Sequence, residues 1–381
     1  MPEKAILWIW FSLINGLNNL NLQKLIAYCG GYETLWNAKT EQDLPDFLHE
    51  LKEWKPLLMG LLDQDLKVSA QRVFDLCRKS QIGLTFPGAI DYPHLLEYIP
   101  DKPMILYVRG TLKKTENLLA IIGSRNASSY GLDIAYSFAR KLTENGITIV
   151  SGMARGVDTY AHAGALKSKG RTIAVLGCGV DFVYPRENNI LMDKIIQNGA
   201  VLSEYPPGTR PTKYSFPQRN RIIAGMSIGV FVTEAGPDSG TRKTVDDACE
   251  YGKEIFAVPG EITKQNFFGT NKMLKDGAHF VTTPDDIFIA IKDNYQTPEG
   301  LLENGSNNID FGVPASIKSE LSEVELGIVS NLEVESMHID KLISNLDLEL
   351  SEVYVWLLML EMKGIISQLP GRFYKIKNTF I

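Results

Sequence analysis

Seven short apolar runs recur through the middle of the chain, and they constrain its fold more than any other feature. They are LLAIIG (118–123), ITIVSG (147–152), TIAVLG (172–177), AVLSE (200–204), IGVFVTE (228–234), EIFAVPG (254–260) and HFVT (279–282). Stretches of helical periodicity lie between them, at about Ser129–Glu144, Thr159–Ser168 and Arg242–Tyr251. Strands that are continuously apolar are buried on both faces. The pattern therefore predicts an α/β fold, a doubly wound and mainly parallel sheet sandwiched between helices.

The flanks read differently. Residues 1–80 form an expected helical domain, with Leu17, Leu20, Leu25 and Ile26, then Leu57, Leu58, Leu61 and Leu62, at helical spacing, broken by Gly16, Gly30, Gly31 and Pro56. The run AILWIWFSLI (5–14) is too short to span a bilayer and no signal-cleavage site follows it, so it reads as a first helix and no membrane association is expected. NGLNNLNLQKLIAYCGG resembles a helix–turn–helix hairpin of the kind that holds a DNA backbone. It lacks the Gly-x-Gly turn, and a helical packing module is the preferred reading. Residues 81–292 hold the α/β domain, opening with scattered prolines and the strand ILYVRG. Residues 293–313, rich in Asn, Gly and Asp, read as a linker. Residues 314–381 follow a winged-helix pattern: helices, then a strand, a Pro-Gly turn and a second strand. The position of its recognition helix carries Asp347, Glu349, Glu352 and Glu361, which repel a DNA backbone, so a protein contact is expected there.

The formal net charge is −6, so affinity for a polyanion has to come from a local patch. Such a patch exists: between Glu204 and Gly225 the only charges besides Glu204 are Arg210, Lys213, Arg219 and Arg221. Within it, KYSFPQRNR (213–221) places Lys213, Arg219 and Arg221 around Phe216, with Tyr214 and Asn220 interleaved. Cations with an aromatic face suit single-stranded nucleic acid; a basic surface loop whose Phe is core fits equally well. The strand ends add to the first reading, because open α/β sheets bind ligands beyond the carboxyl ends of their strands. Gly123, Ser124 and Arg125 follow one run, Ser151, Gly152 and the Arg155–Gly156 pair another, and Ser239, Gly240 and Thr241, with Arg242 and Lys243, a third. Together they predict a phosphate-binding cleft. Asp158 and His162, spaced i, i+4, form either an acid/base pair or, preferably, a helix cap with a neighbour. No disulfide framework, zinc site, P-loop or complete dinucleotide fingerprint is present, so no cofactor or metal is expected and a reducing cytoplasm fits the four scattered cysteines.

The motifs GSRNASSYG (123–131), SGMARGVDTYAH (151–162), RTIAVLGCGVDFVYP (171–185), LSEYPPG (202–208), FPQRNRIIAG (216–225), SGT (239–241), FAVPG (256–260) and GTN (269–271) resemble, in order and spacing, the bacterial DNA-processing protein A family, also called Smf. The resemblance implies an extended Rossmann-like domain that binds and protects single-stranded DNA, forms a homodimer, catalyses nothing, and loads a RecA-type recombinase onto incoming DNA in natural transformation. It implies that Arg125, Lys213 and Phe216 contact DNA. Arg219, Asn220 and Arg221 line or shape the same pocket, or an arginine among them braces Glu204 or Glu234. The chain departs from the family at SGTRKTV (239–245), where SGSLITA is usual: either the extra charges lengthen the DNA track or the helix sits differently. The competing expectation is a nucleotide phosphoribohydrolase, whose loop PGGxGTxxE is echoed by Gly240–Thr241; Thr244 stands where its Glu belongs, which argues against glycosidic cleavage. A sensor of a small nucleotide would use the same cleft. A dimer surface is expected near Met273, Leu274, Ala278 and Phe280.

Overall fold

The register of the central sheet explains why its strands are apolar throughout. The computed structural model describes residues 3–45, 54–113, 116–237, 239–294, 318, 321–334, 337–346, 348, 350–363, 365–369 and 372–376. Nine strands, β1 (Gly83–Thr85), β2 (Leu106–Gly110), β3 (Leu118–Ile122), β4 (Thr148–Ser151), β5 (Thr172–Val175), β6 (Ala200–Ser203), β7 (Gly229–Val232), β8 (Glu254–Ala257) and β9 (His279–Phe280), form one sheet in the order β1-β2-β6-β5-β4-β3-β7-β8-β9. From β6 to β9 every pairing is parallel; β1 and β2 add an antiparallel edge. The chain moves outward from β3 to β6 and returns to β7 at the other side of β3. The order therefore reverses between β3 and β7, and the crevice between their carboxyl ends is where such sheets bind ligands.

Alternate residues serve opposite faces. Leu119 and Ile121 of β3 pack with Ala135, Phe138 and Leu142 of the helix Ser129–Glu144 and Ala161 and Ala165 of the helix Val157–Lys167. Ala120 and Ile122 face the other way, onto Ile222 and Ile223 of the helix Ser215–Met226 and Val245 and Ala248 of the helix Thr241–Glu250. The helices near Ser129, Val157 and Thr241 thus stand where the periodicity places them. The three-residue strand β1 has no counterpart in the sequence reading; it is too short to show a period.

The N-terminal helices Lys4–Leu13, Asn19–Cys29, Tyr32–Asn37, Lys55–Leu62 and Gln64–Lys79 belong to the same compact unit, Met1–Gln296. Their core continues into the sheet: Trp10, Phe11, Leu61 and Phe74 share one buried cluster with Tyr107, Ala174, Leu176 and Val201. Asn18 caps the second helix and Gly30, at φ 77°, ends it. Leu22 and Leu25 of that helix are buried in the same cluster. Lys67 is buried inside the module; its Nζ donates to the carbonyls of Trp36 (2.6 Å) and Ala38 (2.7 Å) at the end of the third helix, and lies 5.2 Å from the Trp10 ring. Burial holds its pKa below the ordinary lysine value.

The second unit, Thr297–Ile381, has the helices Glu323–Val334, Ile339–Leu346 and Leu350–Met362 and the sheet β10-β12-β11 (Met337–His338, Phe373–Ile376, Ile366–Leu369). This is the winged-helix pattern of three helices and a small antiparallel wing. The Pro-Gly turn, most of the linker, Asp347 and Glu349 lie outside the described residues. Among the described residues no helix is long and apolar enough to cross a membrane.

His162 gives the fold a pH dependence. Thr172 Oγ1 donates to the Ile149 carbonyl (2.9 Å), so His162 Nδ1, 2.7 Å away, carries a proton and donates to that hydroxyl. Nε2 is buried and has no partner among the described residues, and burial pushes the imidazole pKa down to about 3. The unfolded chain takes up this proton below about pH 6.5, the folded chain only near pH 3, so stability falls as pH drops through that window. The loss reaches up to about 1.4 kcal/mol per pH unit. Thermal melts from pH 7 to pH 4 should show a smaller decline for His162→Leu than for the wild type; parallel declines would contradict a neutral buried imidazole.

Candidate nucleic-acid interface

A cleft of about 770 Å³ opens at the carboxyl ends of β3 and β7. The loop after β3 supplies Ser124 and Arg125, and the loop after β7 supplies Ser239 and Gly240, leading into Thr241 and Lys243. The opposite wall is Lys213, Phe216, Arg219 and Asn220. KYSFPQRNR is not a loop: from Ser215 it forms the first two turns of the helix Ser215–Met226, and Pro217 sits at its third position, where the missing N–H costs nothing. Gly156 places Arg125. Its φ of 75° suits glycine, and a side chain there would run into the Ser124 carbonyl.

The cleft is cationic because two of its cations lack a carboxylate. Arg125 and Lys213 are exposed and make no ion pair among the described residues. The Arg125 guanidinium lies over the Phe216 ring at 5.6 Å, and Lys213 Nζ lies 5.0 Å from the Tyr214 ring. Tyr184, which the sequence reading passed over, also lines the cleft; it is 43% exposed, with its ring 5.2 Å from Phe216. Its signal was an aromatic in the loop beyond β5, at the same sheet end as the other candidates. Ser239 Oγ and Thr241 Oγ1 are 2.7 Å apart at the start of the helix Thr241–Glu250.

Other predicted residues stand elsewhere or are tied to a carboxylate. Ser151 is fully buried and donates to the Ile121 carbonyl (2.6 Å). Gly152 is buried and Arg155 is ion-paired with Glu187; both border a smaller cavity of about 50 Å³ beside the cleft. Arg221 braces carboxylates, Asp101 at 3.1 Å and Glu204 at 2.6 Å. Arg242 points to the other side of its helix toward Asp246, and Lys243 is held by Asp247 at 2.5 Å. The helix bearing RKT packs normally, with Thr244, Val245 and Ala248 buried and both cations exposed.

Arg219 reaches the cleft wall, yet its guanidinium is turned inward. It is 4% exposed and donates to the Gly152 carbonyl (2.9 Å) and the Val175 carbonyl. Gly152 is a glycine for this reason: a Cβ would come within 2.6 Å of that guanidinium. Asp158, also buried, accepts from the Gly152 and Ala154 N–H groups at 3.1 and 3.2 Å, which favours the capping reading over acid/base chemistry. Burial raises the Asp158 pKa and lowers that of Arg219, each partly offset by the other's charge. Among the described residues no arginine pairs with Glu234; its carboxylate accepts from Ser128 N–H and hydroxyl and from Asn266 (3.0 Å). Among the described residues no group of three or more His, Cys, Asp or Glu side chains is placed to hold a metal ion.

Comparison with known proteins identifies the family. The family model for DNA recombination-mediator protein A matches residues 83–292, and that for the DprA winged helix domain matches residues 313–372. Protein Smf of Synechocystis sp. is 30% identical over 97% of this chain and 98% of its own length. The solved structure of DNA processing protein A from Streptococcus pneumoniae superposes with a TM-score of 0.62 at 32% identity, covering 74% of this chain and 97% of that one. A structure of DNA processing protein A from Helicobacter pylori, described for its single-stranded DNA binding mode, gives a TM-score of 0.51 at 32% identity, covering 57% of this chain and 99% of that one. With both parts of the chain matched, it belongs to the DNA recombination-mediator protein A family, the DNA-processing proteins DprA and Smf.

Proposed function

We propose that this chain binds and protects single-stranded DNA in the cleft at the ends of β3 and β7, without catalysis. It works as a homodimer in the cytoplasm and loads a RecA-type recombinase onto incoming DNA in natural transformation. One observation carries the binding reading: two cations without carboxylate partners among the described residues, Arg125 and Lys213, stand in one cleft with the ring of Phe216. The cations neutralise phosphates and release counterions, and the ring stacks a base. Family membership and the Helicobacter pylori relative support it. The dimer reading is supported by Phe280, 61% exposed on the edge strand β9.

The phosphoribohydrolase reading has less support. Thr244 is buried where that reaction needs a carboxylate, and the only described carboxylate lining the cleft, Asp158, is committed to backbone N–H groups.

Fluorescence anisotropy with a labelled thirty-mer tests the proposal, with duplex DNA and mononucleotides as competitors across a salt series. Two free cations per chain give a log–log salt slope of about −1.4 per bound chain, and Lys213→Ala should reduce it by roughly 0.7. Phe216→Ala should cost about 1–3 kcal/mol with the slope kept. Displacement by a mononucleotide, or binding insensitive to salt, would refute the model. Arg219→Met, in contrast, should lower stability by about 1–3 kcal/mol, since it leaves the buried carbonyls of Gly152 and Val175 without their donor. Chemical denaturation measures this, and a variant as stable as wild type would mean Arg219 is no brace.

A further inference from the structure

Phe216 is the intended platform for a base, and its surroundings are already occupied. The Arg125 guanidinium lies over the ring at 5.6 Å, and the Tyr184 ring leans against it at 5.2 Å with 32° between the planes. The backbone of Gly177 closes a third side, so near that even a Cβ there would come within 2.9 Å of the ring. A base stacking on the face under Arg125 reaches it only when that guanidinium leaves. Gly177 is backbone beyond β5, and Tyr184 is followed by the buried Pro185. Arg125 is the movable one: exposed, on a loop, and free of any ion pair among the described residues.

We infer that Arg125 is a displaceable cover on Phe216 and that Tyr184 is a further base-contacting residue, so that the site admits a base only together with an adjoining phosphate. The inference rests on the DNA-binding reading above. In the free protein the guanidinium gains a cation–π contact. When a strand enters, a phosphate draws it off, because a charge-assisted contact with phosphate is stronger than one with a ring. The vacated face then takes the base, and the half-exposed Tyr184 extends the aromatic surface alongside it. A base without a phosphate has to displace the guanidinium without compensation. The ligand therefore carries a phosphate beside its base, as a strand does, and free bases and nucleosides, which carry none, are rejected.

The test compares oligo-dT with the same oligonucleotide carrying abasic sites, by anisotropy, on the full chain. The affinity ratio of intact to abasic DNA reports stacking, and the salt slope reports phosphate contacts. Arg125→Ala should weaken both oligonucleotides and lower the slope with the ratio kept, yet bind free thymidine, followed as a competitor, roughly two- to fivefold more tightly than wild type does, since the base no longer displaces a cation–π contact. Tyr184→Ala should lower the ratio by about two- to tenfold with the slope kept, and Tyr184→Phe should restore it. Thymidine affinity that falls or stays constant in Arg125→Ala overturns the cover, and an unchanged ratio in Tyr184→Ala overturns its contact. Wild-type protein that binds neither oligonucleotide would sink the DNA-binding reading itself, an outcome distinct from both.

Discussion

The buried guanidinium of Arg219 is the constraint on which the cleft depends. It ties the helix Ser215–Met226 to the carbonyl ends of β4 and β5 through Gly152 and Val175, with Asp158 nearby as its counter-charge. Residues three apart lie on one helix face, so anchoring Arg219 also aims Phe216 at the same wall. Two glycines at strand ends then follow from two side chains of one helical turn: Gly152 makes room for Arg219, and Gly177 makes room for Phe216.

Positive potential in this acidic chain comes from selective non-pairing rather than from an accumulation of cations. Arg155, Arg221, Arg242 and Lys243 all have carboxylate partners. Arg221 is held between Asp101 and Glu204 and joins the helix to the segment before β2, a structural use of a residue that sequence places within the basic stretch. What faces the cleft uncompensated is short, and its two cations flank an aromatic surface.

How much of this was legible in the sequence follows from the range of each signal. Strands β3 to β8 were readable because burial on both faces leaves a continuous apolar run. The strand-end residues Ser124, Arg125, Ser239 and Thr241 were readable because the fold class says where ligands bind. Other features depend on contacts distant in sequence. That KYSFPQRNR opens a helix was hidden by its proline and by cations at a helix start, where the dipole disfavours them. The inward turn of Arg219 depends on carbonyls 67 and 44 residues away. Tyr184 becomes a site residue only because folding sets it against Phe216. The family resemblance named Arg219 and Arg221 as lining or shaping the pocket, and coordinates alone separate those roles.

The core shared by the N-terminal helices and the sheet has a consequence for the order of synthesis. Trp10 and Phe11 rest in one cluster with Leu176 and Val201, which are translated more than 150 residues later. At about 5–20 residues per second that interval is roughly ten to thirty seconds. The chain produces one of its most apolar helices early and the strands that complete its cover much later. Until then that surface is open to whatever the nascent chain meets.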